Sequence, residues 1–198
     1  MKLNLTLVML LSTVSILNVT ILLNSTYAQE ENTTALQQKI VDLEAQIDAF
    51  EKEKEIVEKN IALFDKMDLD AFTNQDMDVI KEIHADDVRV YNPDGSLTIG
   101  MTPEHEREIQ WIFDTYPDIK ITEHPIKFGS GNWTAGISTV NGTWTEPMIL
   151  EDGTILEPTG KSFEIKMATI AKWNNEKIEE EYLFWDNVEW NKQVGIGN

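Results

Sequence analysis

The first third of the chain carries a regular spacing of apolar residues. Between residues 36 and 64 the apolar positions recur in alternating steps of four and three, and Lys54 occupies the one skipped position. The stripe consists of Leu36, Ile40, Leu43, Ile47, Phe50, Val57, Ile61 and Phe64. This heptad spacing is typical of a coiled coil or of one long amphipathic helix. We predict that residues 34–53 project as a coiled-coil or linker helix, that residues 54–66 pack on a domain, and that the protein is a homodimer.

The pattern changes near residue 93. All ten glycines, all six prolines and all six tryptophans lie at Pro93 or after it. The predicted helices beyond the long one cover 69–73, 77–84 and 103–115, and the predicted strands cover 88–91, 97–99, 119–129, 133–145, 161–173 and 178–186. Helices followed by a meandering antiparallel sheet indicate the α+β fold class.

The last predicted strand contains an acid among aromatic residues. Alternation along the strand sends Tyr182, Phe184 and Asp186 to one face. The other face receives Glu181, Leu183 and Trp185. A buried carboxylate is unfavourable unless it is paired, hydrogen-bonded or protonated. Asp186 is therefore the first candidate for a functional residue.

Composition and charge exclude several classes of function. The chain has no cysteine, so disulfides, thiolate nucleophiles and cysteine metal sites are absent. A formal net charge of -19 argues against binding to nucleic acid or to anionic membranes.

The beginning of the chain predicts export. Residues 3–23 are mostly apolar, and the small residues that follow favour cleavage after Ala28. The alternative is an uncleaved membrane anchor, because the apolar run approaches the length of a membrane span. The predicted organisation is a signal peptide at 1–28, a helical extension at 29–53 and a domain at 54–198.

Familiar metal and phosphate motifs are missing. The acids Asp68, Asp70, Asp76 and Asp78 lack the glycine and spacing of a calcium loop, which favours a solvated helix-cap region. The segment 104–108 around His105 has no second histidine four residues on, so it is not a zinc helix. With three histidines in the chain, we expect neither a metal site nor a cofactor. No phosphate loop and no Gly-x-Ser-x-Gly motif occurs.

A curved sheet covered by helices predicts a pocket for a small apolar or aromatic ligand. The candidate lining residues are Tyr91, Trp111, Phe113, Trp133, Trp144, Tyr182 and Phe184. Each of these aromatics could equally be core packing. Asp186 could equally accept N–H groups at a strand end.

If Asp186 is functional, apolar surroundings raise its pKa towards neutrality. It could then take a proton from an activated carbon, while Tyr or Trp donors stabilise an enolate oxygen. His84, placed between a helix and the first strand, is a second candidate acid–base group, although it could equally be a surface residue.

Residues 54–197 resemble the SnoaL-like polyketide cyclase (ester cyclase) family, within the nuclear transport factor two-like superfamily. The matching motifs are Glu58-Lys-Asn60, Asn74-Gln-Asp76, Ile83-His-Ala-Asp-Asp-Val88, Pro93-Asp-Gly95, Tyr116-Pro-Asp118, Asn141-Gly-Thr143, Thr159-Gly160, Lys177-Ile-Glu-Glu-Glu-Tyr182, Asp186 and Gln193-Val-Gly195. The resemblance implies a cone of helices against a strongly curved antiparallel sheet, with a pocket at the open end. It also implies that an aspartate near the final strand, here Asp186, is the acid–base in an aldol-type ring closure.

The chain departs from the family pattern at two positions. Trp144 stands where the family often has histidine, and Tyr182 stands where it usually has tryptophan. The resemblance therefore leaves two functional hypotheses. One is cofactor-free acid–base chemistry on a carbonyl compound by cyclisation, isomerisation or hydrolysis, as in a lyase or isomerase. The other is a non-catalytic ligand-binding or dimerisation module.

Overall fold

The computed structural model describes the backbone of residues 5–150 and 152–197, and the side chains of 15–150 and 152–197. The first four residues of the predicted signal peptide lie outside the described residues. The chain divides into two compact units, residues 1–51 and 52–198. Within the described part of the chain, no helix combines the length and the apolar character needed to cross a membrane.

The chain begins with one long helix, α1 (Leu5–Asp65), followed directly by a π-helical segment, Lys66–Phe72. In the first unit, the stripe residues from Leu36 to Phe50 are exposed. In the second unit, Phe64 is fully buried, and Val57 and Ile61 are partly buried. The two halves of the heptad stripe therefore differ, because only the second half is packed within its own chain.

Three shorter helices follow α1. They are α2 (Met77–Ile83), α3 (Glu106–Thr115), which is preceded by an irregular turn at Met101–His105, and α4 (Asn187–Val194). Helices α2 and α3 were predicted from the sequence, whereas α4 was not. Asp186 begins α4 by accepting the backbone N–H groups of Val188 and Glu189, and Gly195 ends it with a left-handed φ of 89°.

A six-stranded sheet forms the second layer of the larger unit. Its strands are β1 (His84–Tyr91), β2 (Leu97–Ile99), β3 (Lys120–Ser130), β4 (Trp133–Thr143), β7 (Ser162–Asn174) and β8 (Lys177–Phe184). A separate hairpin pairs β5 (Met148–Ile149) with β6 (Ile155–Leu156).

The strand order in the sheet is β2-β1-β8-β7-β4-β3. Every neighbouring pair is antiparallel except β1 and β8, which are parallel. The predicted α+β class is confirmed, and the expectation of a wholly antiparallel sheet is corrected at this one pair. The last strand also ends at Phe184, two residues earlier than predicted.

Alternation along the strands separates a covered face of the sheet from an open one. On β7, Phe163, Ile165 and Trp173 are buried in the core. On β4, Ser138 and Val140 are buried. The covered face therefore combines the main apolar core with a few polar side chains.

The open face of the sheet carries several of the aromatic residues. Tyr91 stacks on Tyr182 with ring centroids 4.3 Å apart, and Trp133 lies 6.3 Å from Tyr182. Phe184 is 53% exposed. These residues belong to a surface rather than to a pocket.

Helix α1 packs on the sheet where Phe64 meets Gly136. A Cβ atom added at Gly136 would lie 2.6 Å from Cε1 of Phe64. The absence of a side chain at position 136 therefore sets how closely the helix approaches strand β4.

We expect Gly136→Ala to lower the free energy of unfolding by about 1–3 kcal/mol, because the added methyl group forces the Phe64 ring to move. Urea denaturation measures this effect. In a Phe64→Leu background the same substitution should be less damaging, since the shorter side chain makes room. An equal loss in both backgrounds would contradict this account of the contact.

Candidate functional site

A cavity lies between the helices of the larger unit and the covered face of the sheet. The cavity and the solvent space at its open mouth together have a volume of about 690 Å³. Most of its lining is apolar, with residues such as Ile80, Ile109, Ile165 and Trp185. The polar lining side chains are Asp68, His84, His105, Thr169 and Glu181, together with the indole N–H of Trp190. An apolar chamber with a few convergent polar groups is the usual form of a small-molecule site.

The first polar cluster is centred on His124. Its Nδ1 lies 2.8 Å from Oδ1 of Asp65, and its Nε2 lies 2.9 Å from Oδ2 of Asp68. The hydroxyl of Ser138 donates to the same Asp68 oxygen at 3.1 Å. Lys127 pairs with the other oxygen of Asp65. The cluster thus runs from the exposed Lys127 to the cavity wall at Asp68.

The hydrogen bonds of His124 indicate its charge. Ionised carboxylates only accept hydrogen bonds, so each ring nitrogen that faces one must carry a proton. Burial lowers the pKa of His124, but its contacts with Asp68 and Asp65 outweigh burial and raise the pKa above the ordinary value of 6.5. His124 is therefore an imidazolium held between two carboxylates.

Asp68 is the carboxylate that this cluster presents to the cavity. Burial raises the pKa of Asp68, and the nearby charge of Glu181 raises it further, whereas the hydrogen bonds from His124 and Ser138 lower it. The net shift is upward from the ordinary value of 3.8. Of the two carboxylate oxygens of Asp68, only Oδ2 forms a side-chain hydrogen bond with another described residue.

The second polar cluster joins three elements. Oε2 of Glu181, on β8, lies 3.9 Å from Nε2 of His84 and 3.8 Å from Nε2 of His105. His84 lies at the start of β1, and His105 lies in the turn before α3. All three side chains are buried.

Neighbouring acceptors fix both imidazoles of this second cluster. Nδ1 of His84 lies 2.7 Å from the carbonyl oxygen of Ile80, and Nδ1 of His105 lies 2.9 Å from Oε2 of Glu108. Because Nδ1 of each ring is occupied in this way, Nε2 is the nitrogen that faces Glu181.

The members of the second cluster also shift each other's acidity. Burial raises the pKa of Glu181, but the neighbouring His84 and His105 outweigh it and lower the pKa below the ordinary value of 4.5. Burial lowers the pKa of His84, but Glu181 outweighs it and raises that pKa above 6.5. Glu181 is therefore held as a carboxylate.

Three buried polar atoms at the cavity have no hydrogen-bond partner among the described residues. They are Nε2 of His84, Oγ1 of Thr169 and Nε1 of Trp190. Buried polar groups are nearly always paired, so each such atom calls for an explanation. All three belong to residues that line the same cavity, which makes them available to a ligand.

The structure places the two predicted catalytic residues differently. His84 is buried and lines the cavity. Asp186 is exposed, and its carboxylate caps α4. The reason is that β8 ends at Phe184. The strand alternation that was expected to direct Asp186 into the pocket therefore does not extend to residue 186. The residues of this region that line the cavity are Glu181, Leu183 and Trp185, on the face opposite to the expected one.

None of the seven predicted ligand-binding aromatics lines the cavity that the described residues form. Tyr91, Trp133, Tyr182 and Phe184 belong to the open face of the sheet, as described above. The remaining three have structural contacts of their own. The indole of Trp111 donates to the carbonyl of Ile149, Phe113 packs on Phe72 in the core, and the buried Trp144 donates to the carbonyl of Glu146.

Four residues of the site were not predicted from the sequence: Asp68, His105, His124 and Glu181. Asp68 was expected in a solvated cap region, yet it is 2% exposed. Glu181 lies within a run of three glutamates that looks solvent-facing. Its shared strand face with Leu183 and Trp185 was the one signal that could have identified it.

Comparison with known proteins agrees with this architecture. The family described as "SnoaL-like polyketide cyclase" matches residues 61–194. Among curated proteins, no relative was found by sequence.

Three solved structures share the fold. A proposed SnoaL-like polyketide cyclase from Jannaschia sp. CCS1 has a TM-score of 0.62 at 15% identity, covering 72% of this chain and 96% of its own. A proposed polyketide cyclase from Xanthomonas campestris pv. campestris has a TM-score of 0.61 at 17% identity, covering 70% and 98%. IdmH, a proposed polyketide cyclase from Streptomyces antibioticus, has a TM-score of 0.57 at 21% identity, covering 69% and 99%. The family and the nuclear transport factor two-like fold implied by the sequence resemblance are confirmed, and the chain belongs to the SnoaL-like polyketide cyclase family.

Proposed function

We propose that the protein is an enzyme that moves a proton on a small carbonyl compound bound in the cavity, with Asp68 as the proton acceptor. The family and its fold support binding of a small molecule. The observation that carries the proposal is a buried carboxylate, oriented by His124 and Ser138, at the wall of a mostly apolar cavity.

Asp68 is a better proton acceptor than Glu181, the other buried carboxylate of the cavity. A general base is most effective when its pKa approaches the working pH. The pKa of Asp68 is raised, mainly by burial, whereas the pKa of Glu181 is lowered by two histidines. The free Oδ1 of Asp68 can also receive a proton without breaking the bonds that hold Oδ2.

The chemical step is an enolisation. Asp68 takes a proton from the carbon next to the carbonyl group, and the electrons of that C–H bond move to form an enolate. The negative charge develops on the carbonyl oxygen, which we place near His84 and His105 because they are the electrophilic side of the cavity. Return of the proton from Asp68 to the far carbon of a conjugated dienolate gives isomerisation. Attack of the enolate carbon on a second carbonyl breaks the π bond of that carbonyl, whose oxygen takes the proton from Asp68, and gives ring closure.

The lining of the cavity indicates the type of substrate. An apolar body suits the isoleucines and tryptophans of the wall, and one or two oxygen atoms suit the unpaired polar atoms of Thr169 and Trp190. The departure at Trp144 does not bear on this proposal, since Trp144 lies outside the cavity lining.

We expect Asp68→Asn to lower the rate of proton exchange by about 10²–10⁴-fold, because the amide cannot accept the proton. The probe is 2-tetralone in deuterated buffer, with loss of its α-hydrogen signals followed by NMR. Binding of 2-naphthol, a stable enolate analogue, is measured in parallel by fluorescence and should change by only a few fold.

Asp186→Asn is the matched control, since Asp186 is an exposed carboxylate outside the cavity, and it should exchange at the wild-type rate. Equal rates for Asp68→Asn and wild type would exclude Asp68 as the base. A wild-type rate equal to that of buffer alone, with 2-naphthol still bound, would favour the non-catalytic binding module instead.

His124 should stabilise the fold through its two aspartates. Replacing it by glutamine leaves the buried Asp68 without a cation, while Asp65 keeps Lys127, and we expect a loss of about 3–5 kcal/mol in the free energy of unfolding. Because the pKa of His124 is raised in the folded protein, its contribution is complete below the ordinary pKa of 6.5 and declines as the pH rises through the raised value.

Urea denaturation of wild type and His124→Gln over a range of pH tests this account. The difference in stability should shrink as the pH rises above 6.5. Lys127→Gln is the control, because Lys127 pairs with the same Asp65 at the surface and should contribute less than about 1 kcal/mol. A difference that grows with pH would show that His124 is neutral in the folded protein.

We also propose that residues 36–50 form a coiled coil with a second copy of the chain. The supporting observation is the exposed stripe of five apolar residues at heptad spacing, which comprises Leu36, Ile40, Leu43, Ile47 and Phe50. Burying one such side chain contributes about 1.5–3 kcal/mol, which is sufficient in sum to drive dimer formation. Export with cleavage after Ala28 is likewise a proposal, supported by the sequence pattern of the first 28 residues.

The double substitution Leu43→Asp and Ile47→Asp should convert a dimer to a monomer, because it places charges in the helix interface. Light scattering coupled to gel filtration gives the mass. Val41→Asp, an exposed apolar residue off the stripe, should leave the dimer intact. A monomeric wild type would contradict the proposal.

A further inference from the structure

We infer that His84, His105 and Glu181 form a binding site for one divalent transition-metal ion at the wall of the cavity. One ligand atom from each of the three residues lies within 4.8 Å of the other two. Two imidazole nitrogens and one carboxylate oxygen, all buried, are a common donor set of catalytic zinc and non-haem iron sites.

The distances fit an ion better than direct hydrogen bonds. The two gaps of 3.9 and 3.8 Å between the histidine Nε2 atoms and Oε2 of Glu181 are too long for hydrogen bonds. An ion bound at about 2.0–2.2 Å from each donor holds tetrahedral ligand pairs roughly 3.4 Å apart. Closing the donors on a shared ion therefore takes shifts of about 0.5 Å at the two Glu181 gaps and, because the three donor atoms span up to 4.8 Å, a larger movement between the two imidazoles.

Both histidines already have the orientation that metal binding requires. The Nδ1–H of His84 is directed at the carbonyl oxygen of Ile80, and that of His105 at the carboxylate of Glu108. Glu108 is held in turn by the hydroxyl of Thr98 and the amide of Asn92. Such outer contacts fix the tautomer and leave the Nε2 lone pair free for a metal. Nε2 of His84 indeed has no hydrogen-bond partner among the described residues.

The position of the site leaves room for an exogenous ligand. All three residues line the cavity, so an ion bound by them would keep at least one coordination position facing its interior. The negative charges of Glu181 and the nearby Asp68 favour a cation there. Imidazole donors select zinc, iron(II) or cobalt(II) over calcium and magnesium, which prefer oxygen ligands.

A metal ion at this place would polarise the carbonyl oxygen while Asp68 takes the proton. That catalytic role rests on the proposed function, whereas binding of the ion does not. The two ideas therefore fail separately: Asp68→Asn should lose proton exchange and keep the ion, and His105→Ala should lose the ion.

The experiment is equilibrium dialysis of chelator-treated protein against Zn²⁺ in the presence of excess Mg²⁺, with bound zinc measured by mass spectrometry. Wild type should bind one ion per chain. His105→Ala, His84→Ala and Glu181→Gln should each bind at least about 100-fold more weakly, and Glu108→Gln about 10–100-fold more weakly. Cobalt(II) bound to wild type should give d–d absorption bands that the His105→Ala protein lacks.

Two controls separate this site from general attraction of cations by an acidic protein. Asp78→Asn and Asp186→Asn each remove an exposed carboxylate outside the cavity, and both should bind zinc as wild type does. Circular dichroism verifies that each variant is folded. The inference would be overturned if the excess Mg²⁺ displaces zinc from the wild-type protein. Equal zinc binding by wild type and folded His105→Ala would also overturn it.

Discussion

The imidazolium of His124 between Asp65 and Asp68 is the interaction on which the rest of the domain depends. Asp65 is the last residue of α1, Asp68 lies in the π-helical segment, and His124 belongs to β3. The same ring stacks on Phe64 with centroids 4.7 Å apart. One side chain thus fastens the end of the helix to the sheet and also orients the carboxylate that faces the cavity. Because His124 and Asp68 are buried, removing the imidazolium leaves the Asp68 carboxylate without a cation, which is far more costly than losing a surface ion pair.

The cavity concentrates charge in an apolar setting from two directions. The His124 cluster places Asp68 at the cavity wall, and Glu181 lies at the wall beside His84 and His105. Burial raises the pKa of both carboxylates, but at Asp68 it prevails over the hydrogen bonds from His124 and Ser138, whereas at Glu181 the two histidines prevail over it. Environments that drive two carboxylates apart in acidity assign their acid–base roles in many enzymes. Here Asp68 becomes the more basic of the two.

Much of the fold could be predicted from the sequence, because the signals are local. The heptad stripe, the glycine and proline boundary and the strand alternation gave the α+β class and most elements within a few residues. Helix α4 was missed although Asp186-Asn-Val-Glu189 has the pattern of a capped helix start. Because α4 was not predicted, the last predicted strand ran on to Asp186. The N-cap residue of α4 was therefore taken for an acid that faces the pocket.

The site itself could not be predicted, because its residues meet only in three dimensions. Both faces of the predicted strand 178–186 carry an acid beside aromatic residues, so alternation alone could not choose between Glu181 and Asp186. His105 was dismissed for want of a second histidine four residues on, yet its neighbour in space is His84, which precedes it by 21 positions. Asp68 looked solvated because His124, its partner, is 56 residues away.

The parallel pairing of β1 and β8 has a consequence for how the protein is made. His84 begins one strand and Glu181 lies on the other, and the register sets His84 opposite Ile178. The first and last strands of the sheet must therefore find each other across nearly the whole domain, a slow kind of contact to form. Until β8 has paired with β1, the cavity beside His84 and His105 lacks the wall that contains Glu181. Both histidines are synthesised well before Glu181, so the site can form only once β8 has paired with β1.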